Sequence, residues 1–136
     1  MSYLLDTNVV SETIRHSPNK ALIAWLEQIP GEELFISVLT LGEIRKGLEA
    51  LTDRKRREKL RVWLDHELVR WFEGRVLPVD ILVADRWGRL LAEVGRSVPT
   101  IDSLLAATAL HHDLTLVTRN AKDFEYPGLE VINPYG

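Results

Sequence analysis

The chain has no cysteine and a single methionine. Disulfides, thiolate zinc sites and cysteine nucleophiles are excluded, and a reducing compartment fits. Long hydrophobic runs are also missing. No stretch approaches the ~18 apolar residues of a membrane span, and Met1 leads almost directly into a short apolar strand, with no basic leader or signal-like hydrophobic region. A cytoplasmic protein without membrane association is expected. The sequence lacks the G-x-x-x-x-G-K-[ST] phosphate loop, G-x-G-x-x-G, the G-x-S-x-G elbow and H-E-x-x-H. Nor is there an excess of positive charge: 17 Lys and Arg against 20 Asp and Glu leave −3, unlike a uniformly basic nucleic-acid binder.

With 136 residues, 46% of them hydrophobic, the chain can bury a sizeable core, and residues 1–136 read as one domain. Tyr3–Leu5 is a short apolar run stopped by Asp6, after which Asp, Thr and Asn suit the start of a helix over Asn8–Arg15. A second helix spans Lys20–Ile29, with Leu22, Ile23, Leu26 and Ile29 on one face and Pro30-Gly31 ending it. Leu34–Ser37 reads as a buried strand. Helical spacing then runs through Val38–Leu51 and again through Arg54–Trp71, where Leu60, Trp63, Leu64 and Leu68 form the apolar side of a helical hairpin. Val76–Val79 is a weak strand that Pro78 confines to an edge or a strand end. Ile81–Val94 is helical, and Ile101–His111 is a helix apolar enough to be central. Leu114–Thr118 and Leu129–Ile132 are the last strands, separated by a short helix or turn near Asn120–Phe124. The alternation predicts an α/β sandwich around a mainly parallel sheet.

Four segments end an apolar run with polar or acidic residues: LLDTN (Leu4–Asn8), TLGEI (Thr40–Ile44), TIDSLLAATA (Thr100–Ala109) and TLVTRNAKDF (Thr115–Phe124). In parallel α/β sheets, ligands sit outside the carboxyl ends of the strands, so such segments can build a carboxylate pocket suited to Mg²⁺ or Mn²⁺. Asp6 either caps the following helix or faces that pocket. Glu43 shares a helix stripe with Thr40 and Gly47, and glycine at 47 implies close approach by another group. Asp102 is the only charge in the stretch Ile101–Leu110 and needs a partner, either the helix dipole or a cation. Ser103 either caps or holds a water or phosphate oxygen. Asn120 and Asp123 offer oxygen donors, and Arg119 a phosphate contact. From Arg54 to Arg61, RKRREKLR holds six basic residues and one Glu, either a solvated face or a phosphate-binding patch. His111-His112 at a helix end fits a dipole-favoured cation better than a metal site. Trp25, Trp63, Trp71 and Trp87 fit core or interface positions.

Taken together, LLDTNVVSE, SVLTLGEIRKGLE, PTIDSLLAATALHHDLTLVTRNAKDF and GLEVINPY resemble the PIN-domain ribonucleases, specifically the VapC-type toxins of type II toxin–antitoxin modules and their FitB-like branch. The resemblance covers essentially the whole chain. It implies a PIN-like α/β/α sandwich with about five parallel strands and a Mg²⁺- or Mn²⁺-dependent endoribonuclease site. Its acids map onto Asp6, Glu43 and Asp102, and its fourth position, usually Asp, falls on Asn120, with Asp123 the nearby acid. Asp6 and Asp102 are then direct metal ligands. Glu43 ligates directly or through water, or acts as base. Thr7, Asn8, Thr40, Ser103 and Thr118 match polar positions around the site. The resemblance further implies inhibition by a cognate antitoxin, an RNA substrate, a homodimer, and a larger complex that reaches operator DNA through the antitoxin. Asn120 motivates an alternative: the same fold with a weakened site, acting by binding RNA or protein. A phosphoacceptor receiver domain is disfavoured because Asp6 is followed by Thr7-Asn8 and not by a second acid.

Overall fold

The computed structural model describes all 136 residues. Five short strands, β1 (Tyr3–Leu5), β2 (Leu34–Ser37), β3 (Val76–Leu77), β4 (Thr115–Val117) and β5 (Val131–Ile132), form one parallel sheet in the order β3-β2-β1-β4-β5. Parallel neighbours require crossovers, and the helices supply them. On one side run α1 (Thr7–Glu12), α2 (Lys20–Gln28), α3 (Val38–Glu49), α4 (Arg54–Val62) and the single turn α5 (Val69–Trp71), and on the other α6 (Ile81–Val94) and α7 (Thr100–His111).

The three layers follow from the two-residue period of the strands. In β1, Leu5 enters the core with Val9, Leu22 and Phe72, while Leu4 enters the opposite core with Leu90, Leu105 and Leu116. β4 repeats this with Val117 on the first side and Leu116 on the second. The central strand and its neighbour therefore carry apolar residues on both faces, as a sheet covered on both sides demands. As expected, α7 is central, its residues Leu105–Ala109 all buried, and Pro78 lies just beyond β3, an edge strand.

Several local expectations shift. The first helix begins at Thr7, with Asp6 as its cap, and ends at Glu12 before its expected end at Arg15. The stretch Arg54–Trp71 is helical throughout but loosens into a π-helical segment at Trp63–Leu68. Asp65 within it pairs with Arg45 of α3 and Arg61 of α4, tying the hairpin together. Gly47 does not answer to a close approach, because a side chain there would meet nothing within 4 Å. The histidine expectation also changes: His112 is half-buried, burial and its neighbour His111 push its pKa down, and its Nε2 has no partner. His112 is thus a neutral packing residue, not a dipole-favoured cation.

Arg75 joins elements that are distant in sequence. Its guanidinium donates to the carbonyls of Gly31 (2.5 Å), Leu34 (2.5 Å) and Trp71, and stacks over Phe72 at 5.1 Å. Arg75→Ala is expected to lower stability by about 2 kcal/mol, the scale of lost charge-assisted hydrogen bonds, as measured by urea denaturation.

Candidate functional site

The strand order reverses direction at β1, which has β2 on one side and β4 on the other. That switch point is where a crevice opens beyond the carboxyl ends of the strands, and Asp6 and Thr118 stand there, one residue past β1 and β4. Asp6 is 8% exposed. Its backbone N–H extends the ladder to Val117 O (2.9 Å), which fixes where its side chain begins. Oδ1 accepts the Thr7 N–H at 2.7 Å, and Oδ2 accepts the Thr118 hydroxyl at 2.8 Å and Asn8 Nδ2 at 3.2 Å. Capping and pocket placement therefore coexist in one carboxylate.

Glu43 arrives from the next crossover. It lies in the second turn of α3, the helix that follows β2 directly, and Thr7 donates its hydroxyl to Glu43 Oε1 at 2.5 Å. The Thr40 hydroxyl, one turn earlier and fully buried, sits 3.1 Å from that of Thr7. The polar stripe read from Thr40 and Glu43 is thus real, and α1 is what it faces.

Asp102 comes from the opposite layer, in the first turn of α7. Burial pushes its pKa up, and the charges of Asp6, Asp123 and Glu43 push in the same direction, with nothing opposing. For Asp6, burial is the largest effect, partly offset by the Thr118 and Thr7 hydrogen bonds and reinforced by Glu43 and Asp123. Carboxylates from both sides of the sheet therefore bear on the protonation of Asp6 and Asp102. None of the ion pairs in the molecule involves any of them. Such a set is electrostatically incomplete, because mutual repulsion and desolvation together call for a cation.

The donor chemistry of these residues suits a divalent metal. Asp6, Glu43, Asp102 and Asp123 offer only hard oxygen atoms, the set Mg²⁺ and Mn²⁺ prefer. No three of them converge closely enough to enclose an ion by themselves, and Mg²⁺ ordinarily keeps several waters and takes one or two carboxylates. The donor set fits.

The PIN domain family matches residues 3–127. The chain belongs to the PIN-domain family. The plasmid stability protein StbB of Pseudomonas syringae pv. tomato is 38% identical over 135 residues, 97% of each chain. The VapC ribonuclease Y4jK of Sinorhizobium fredii is 36% identical over 135 residues, covering 97% of this chain and 96% of the relative. Among solved structures, FitAcB from Neisseria gonorrhoeae superposes with a TM-score of 0.89 at 34% identity, covering 98% of both chains. The complex of FitAB bound to an IR36 DNA fragment gives 0.88 at 33% identity, covering 98% of this chain and 96% of that one. This is a VapC-type PIN domain, and the five-stranded parallel sheet agrees with that fold.

Within the PIN-domain crevice the sequence-derived residues separate. Asp6, Thr7, Asn8, Thr40, Glu43 and Thr118 form one hydrogen-bonded set, and Asp102 and Asp123 couple to it through charge. Ser103 points elsewhere: fully buried, it donates to Thr100 O (2.8 Å) and accepts the Trp87 indole N–H (2.9 Å), so it locks α6 to α7. Arg119 is exposed, but its guanidinium stacks over the Tyr135 ring at 5.6 Å. Asn120 is exposed, and its backbone N–H donates to Thr118 Oγ1 at 3.1 Å.

Two residues went unnoticed in the sequence. Glu12 is 4% exposed. Burial alone would raise its pKa, but the Asn19 N–H (2.9 Å) and Arg15 (3.1 Å) outweigh burial and hold it below the usual range, so it fastens the α1–α2 loop. Tyr126, 6% exposed, keeps a buried hydroxyl with no partner, its pKa raised by burial and by Asp102 and Asp123. Glu12 pairs locally, with Arg15 and Asn19, but its burial and that of Tyr126 come from packing against other segments.

Proposed function

We propose that this chain is a single PIN domain and the toxin of a type II toxin–antitoxin pair: a Mg²⁺- or Mn²⁺-dependent endoribonuclease that hydrolyses RNA phosphodiester bonds. The observation that carries it is the set of carboxylates Asp6, Glu43, Asp102 and Asp123, which come from both sides of the sheet within electrostatic reach of one another and enter no ion pair. Asp6 and Asp102 are the ligands. When bound, the ion lowers the pKa of a water, offsets the charge of the scissile phosphate and stabilises the leaving oxygen. Asp6 is oriented for this by Thr7, Asn8 and Thr118, whose hydrogen bonds leave its carboxylate little freedom to rotate. Glu43, held by Thr7, ligates through water or takes the proton of the attacking water. Asp123 supplies the fourth charge.

RNA is proposed as the substrate. Supporting this is the relative named as a VapC ribonuclease, together with a local excess of positive charge. Arg61 is paired with Glu58 and Asp65, but Arg54, Lys55, Arg56, Arg57 and Lys59 on the same helix form no ion pair, leaving them to meet phosphate.

The regulator is proposed to be an antitoxin that covers the acidic crevice and places an Arg against it, since a guanidinium satisfies desolvated carboxylates as a metal would. The exposed Val62, Val69 and Trp71 on the α4–α5 arm give such a partner apolar surface. Ile81, 86% exposed, and Leu82, 60% exposed, offer a separate patch for a homodimer. DNA is reached through the antitoxin, consistent with a net charge of −3 on this chain. No helix is long and apolar enough to cross a membrane.

The test is cleavage of single-stranded and structured RNA by the purified chain. Activity is expected with Mg²⁺ or Mn²⁺, to vanish with EDTA and to return when the ion is restored. It should also be lost in Asp6→Asn. Equal cleavage by the native chain and Asp6→Asn, or cleavage indifferent to EDTA, sinks the proposal. The alternative that Asn120 motivates, the same fold with a weakened site acting by binding RNA or protein, predicts no cleavage in this assay.

A further inference from the structure

We propose that the C-terminal segment Asn133–Tyr135 is a clasp that positions the acidic site, Tyr135 acting through Asn8 on Asp6 and Asn133 acting through Arg119 on the loop that carries Asp123. The functional half rests on the metal-dependent reading above; the structural half does not.

The contacts form a closed circuit. The Tyr135 hydroxyl donates to the carbonyl of Asn8 at 3.2 Å, and the Asn8 side chain donates from Nδ2 to Asp6 Oδ2 at 3.2 Å. The same side chain accepts at Oδ1 from the backbone N–H of Arg119 at 3.4 Å. Asn133 Nδ2 donates to the carbonyl of Arg119 at 3.2 Å, and Asn133 Oδ1 accepts the Tyr135 N–H at 3.0 Å. The Arg119 guanidinium closes the ring from above, 5.6 Å from the centroid of Tyr135. Asn8 is therefore held on both sides of its amide and at its carbonyl. The backbone of Arg119 is gripped at both its N–H and its C=O.

Regular structure alone supplies little of this rigidity. β5 is an edge strand of only two residues, and α1 has six. Strands and helices that short hold themselves weakly, yet α1 follows Asp6 directly and β5 pairs with β4, whose end carries Thr118 and Arg119. The neighbouring ladder adds one bond, Thr118 N–H to Ile132 O at 3.1 Å. Burial, chiefly, and the charge of Glu12 push Tyr135 up to about 12, so its hydroxyl remains a donor throughout the physiological range. A site carboxylate whose orientation depends on Asn8 thus depends on a tyrosine more than 120 residues away in sequence.

The experiment compares Tyr135→Phe and Asn133→Ala with the native chain, with Asp6→Asn, and with Arg75→Ala. Arg75 stabilises the start of β2, at the end of the sheet away from the acids. Three readouts are taken: amide hydrogen exchange at Arg119 and at residues 7–8, Mn²⁺ affinity by calorimetry, and thermal stability. Tyr135→Phe keeps the ring and loses only the donor. It should speed exchange at Arg119 and weaken Mn²⁺ binding about 3–10-fold, less than the ~10–100-fold of a ligand's direct partner. Asn133→Ala should do the same. Arg75→Ala should lose stability while keeping native Mn²⁺ affinity, which separates positioning from general loosening. Native exchange at Arg119 in both clasp variants overturns the clasp outright, and native Mn²⁺ affinity in both overturns its functional half. If either result comes with a loss of binding in Asp6→Asn, the metal site survives. If the native chain takes up no Mn²⁺, the metal reading falls, and exchange at Arg119 alone decides the clasp.

Discussion

Asp102→Asn should lower RNA cleavage by about 10²–10³-fold, the scale on which removal of one charge-stabilising group is felt, and should at the same time make the metal-free protein more stable. Both effects have one origin. Asp102 reaches the crevice from α7 with its pKa pushed up by burial and by Asp6, Asp123 and Glu43, and nothing in the protein compensates it. A carboxyl whose folded-state pKa lies above its unfolded value binds more protons in the native state. Its contribution to stability is therefore fully present below the unfolded pKa and is lost as pH rises through the folded pKa. At neutral pH the native residue carries that penalty, and asparagine does not. Thermal unfolding without metal should show the variant melting higher at pH 7, and the difference should shrink as pH falls below the ordinary carboxylate range. Adding Mn²⁺ should raise the melting temperature of the native chain more than that of the variant, since a ligand stabilises the state that binds it. A variant that melts lower at pH 7 without metal would show that Asp102 has a structural partner and is not held against repulsion.

The second large effect distinguishes two neighbours. Asp123→Asn should reduce cleavage about 10–100-fold, the range typical of groups that tune a metal site from its periphery, whereas Asn120→Ala should remain near native. Alignment by motif favours position 120. We propose that Asp123 supplies the fourth charge, since its carboxylate pushes up the pKa of both Asp6 and Asp102. Asn120 contributes a backbone N–H to Thr118 Oγ1, which alanine retains. Steady-state kinetics on a defined single-stranded RNA would check this. A large loss in Asn120→Ala with near-native Asp123→Asn would return the fourth corner to Asn120.

Much of the fold was legible in local pattern. Alternation between short apolar runs and helical spacing marked every strand and every long helix, and Pro78 confined the third strand to an edge or ended it; in the fold β3 stops just before Pro78 and lies at the sheet edge. Misreadings arose where a residue's surroundings come from elsewhere in the chain. Ser103 stands beside Asp102 in sequence, yet one residue along a helix turns a side chain about 100°, and so it meets Trp87 and not the crevice. Gly47 has no neighbour to explain it. His112 looked like a helix-end cation, but burial keeps it neutral. The site divides in the same way: Asp6 and Glu43 follow apolar runs and Asp102 opens one, which made them candidates, whereas Asn133 and Tyr135 carry no local mark of their partners Arg119 and Asn8.

From the sequence alone came the α/β class, the family resemblance, the exclusion of thiol chemistry and the identity of three acids. These depend on residue type and spacing, which act within a turn or two of the chain. Tertiary structure decided that Thr7 bonds Glu43, that Thr118 bonds Asp6, and that the segment Asn133–Tyr135 closes over Asn8 and Arg119. These are matters of distance between segments more than 30 and often more than 100 residues apart. Only the order of the strands in the sheet brings such segments together.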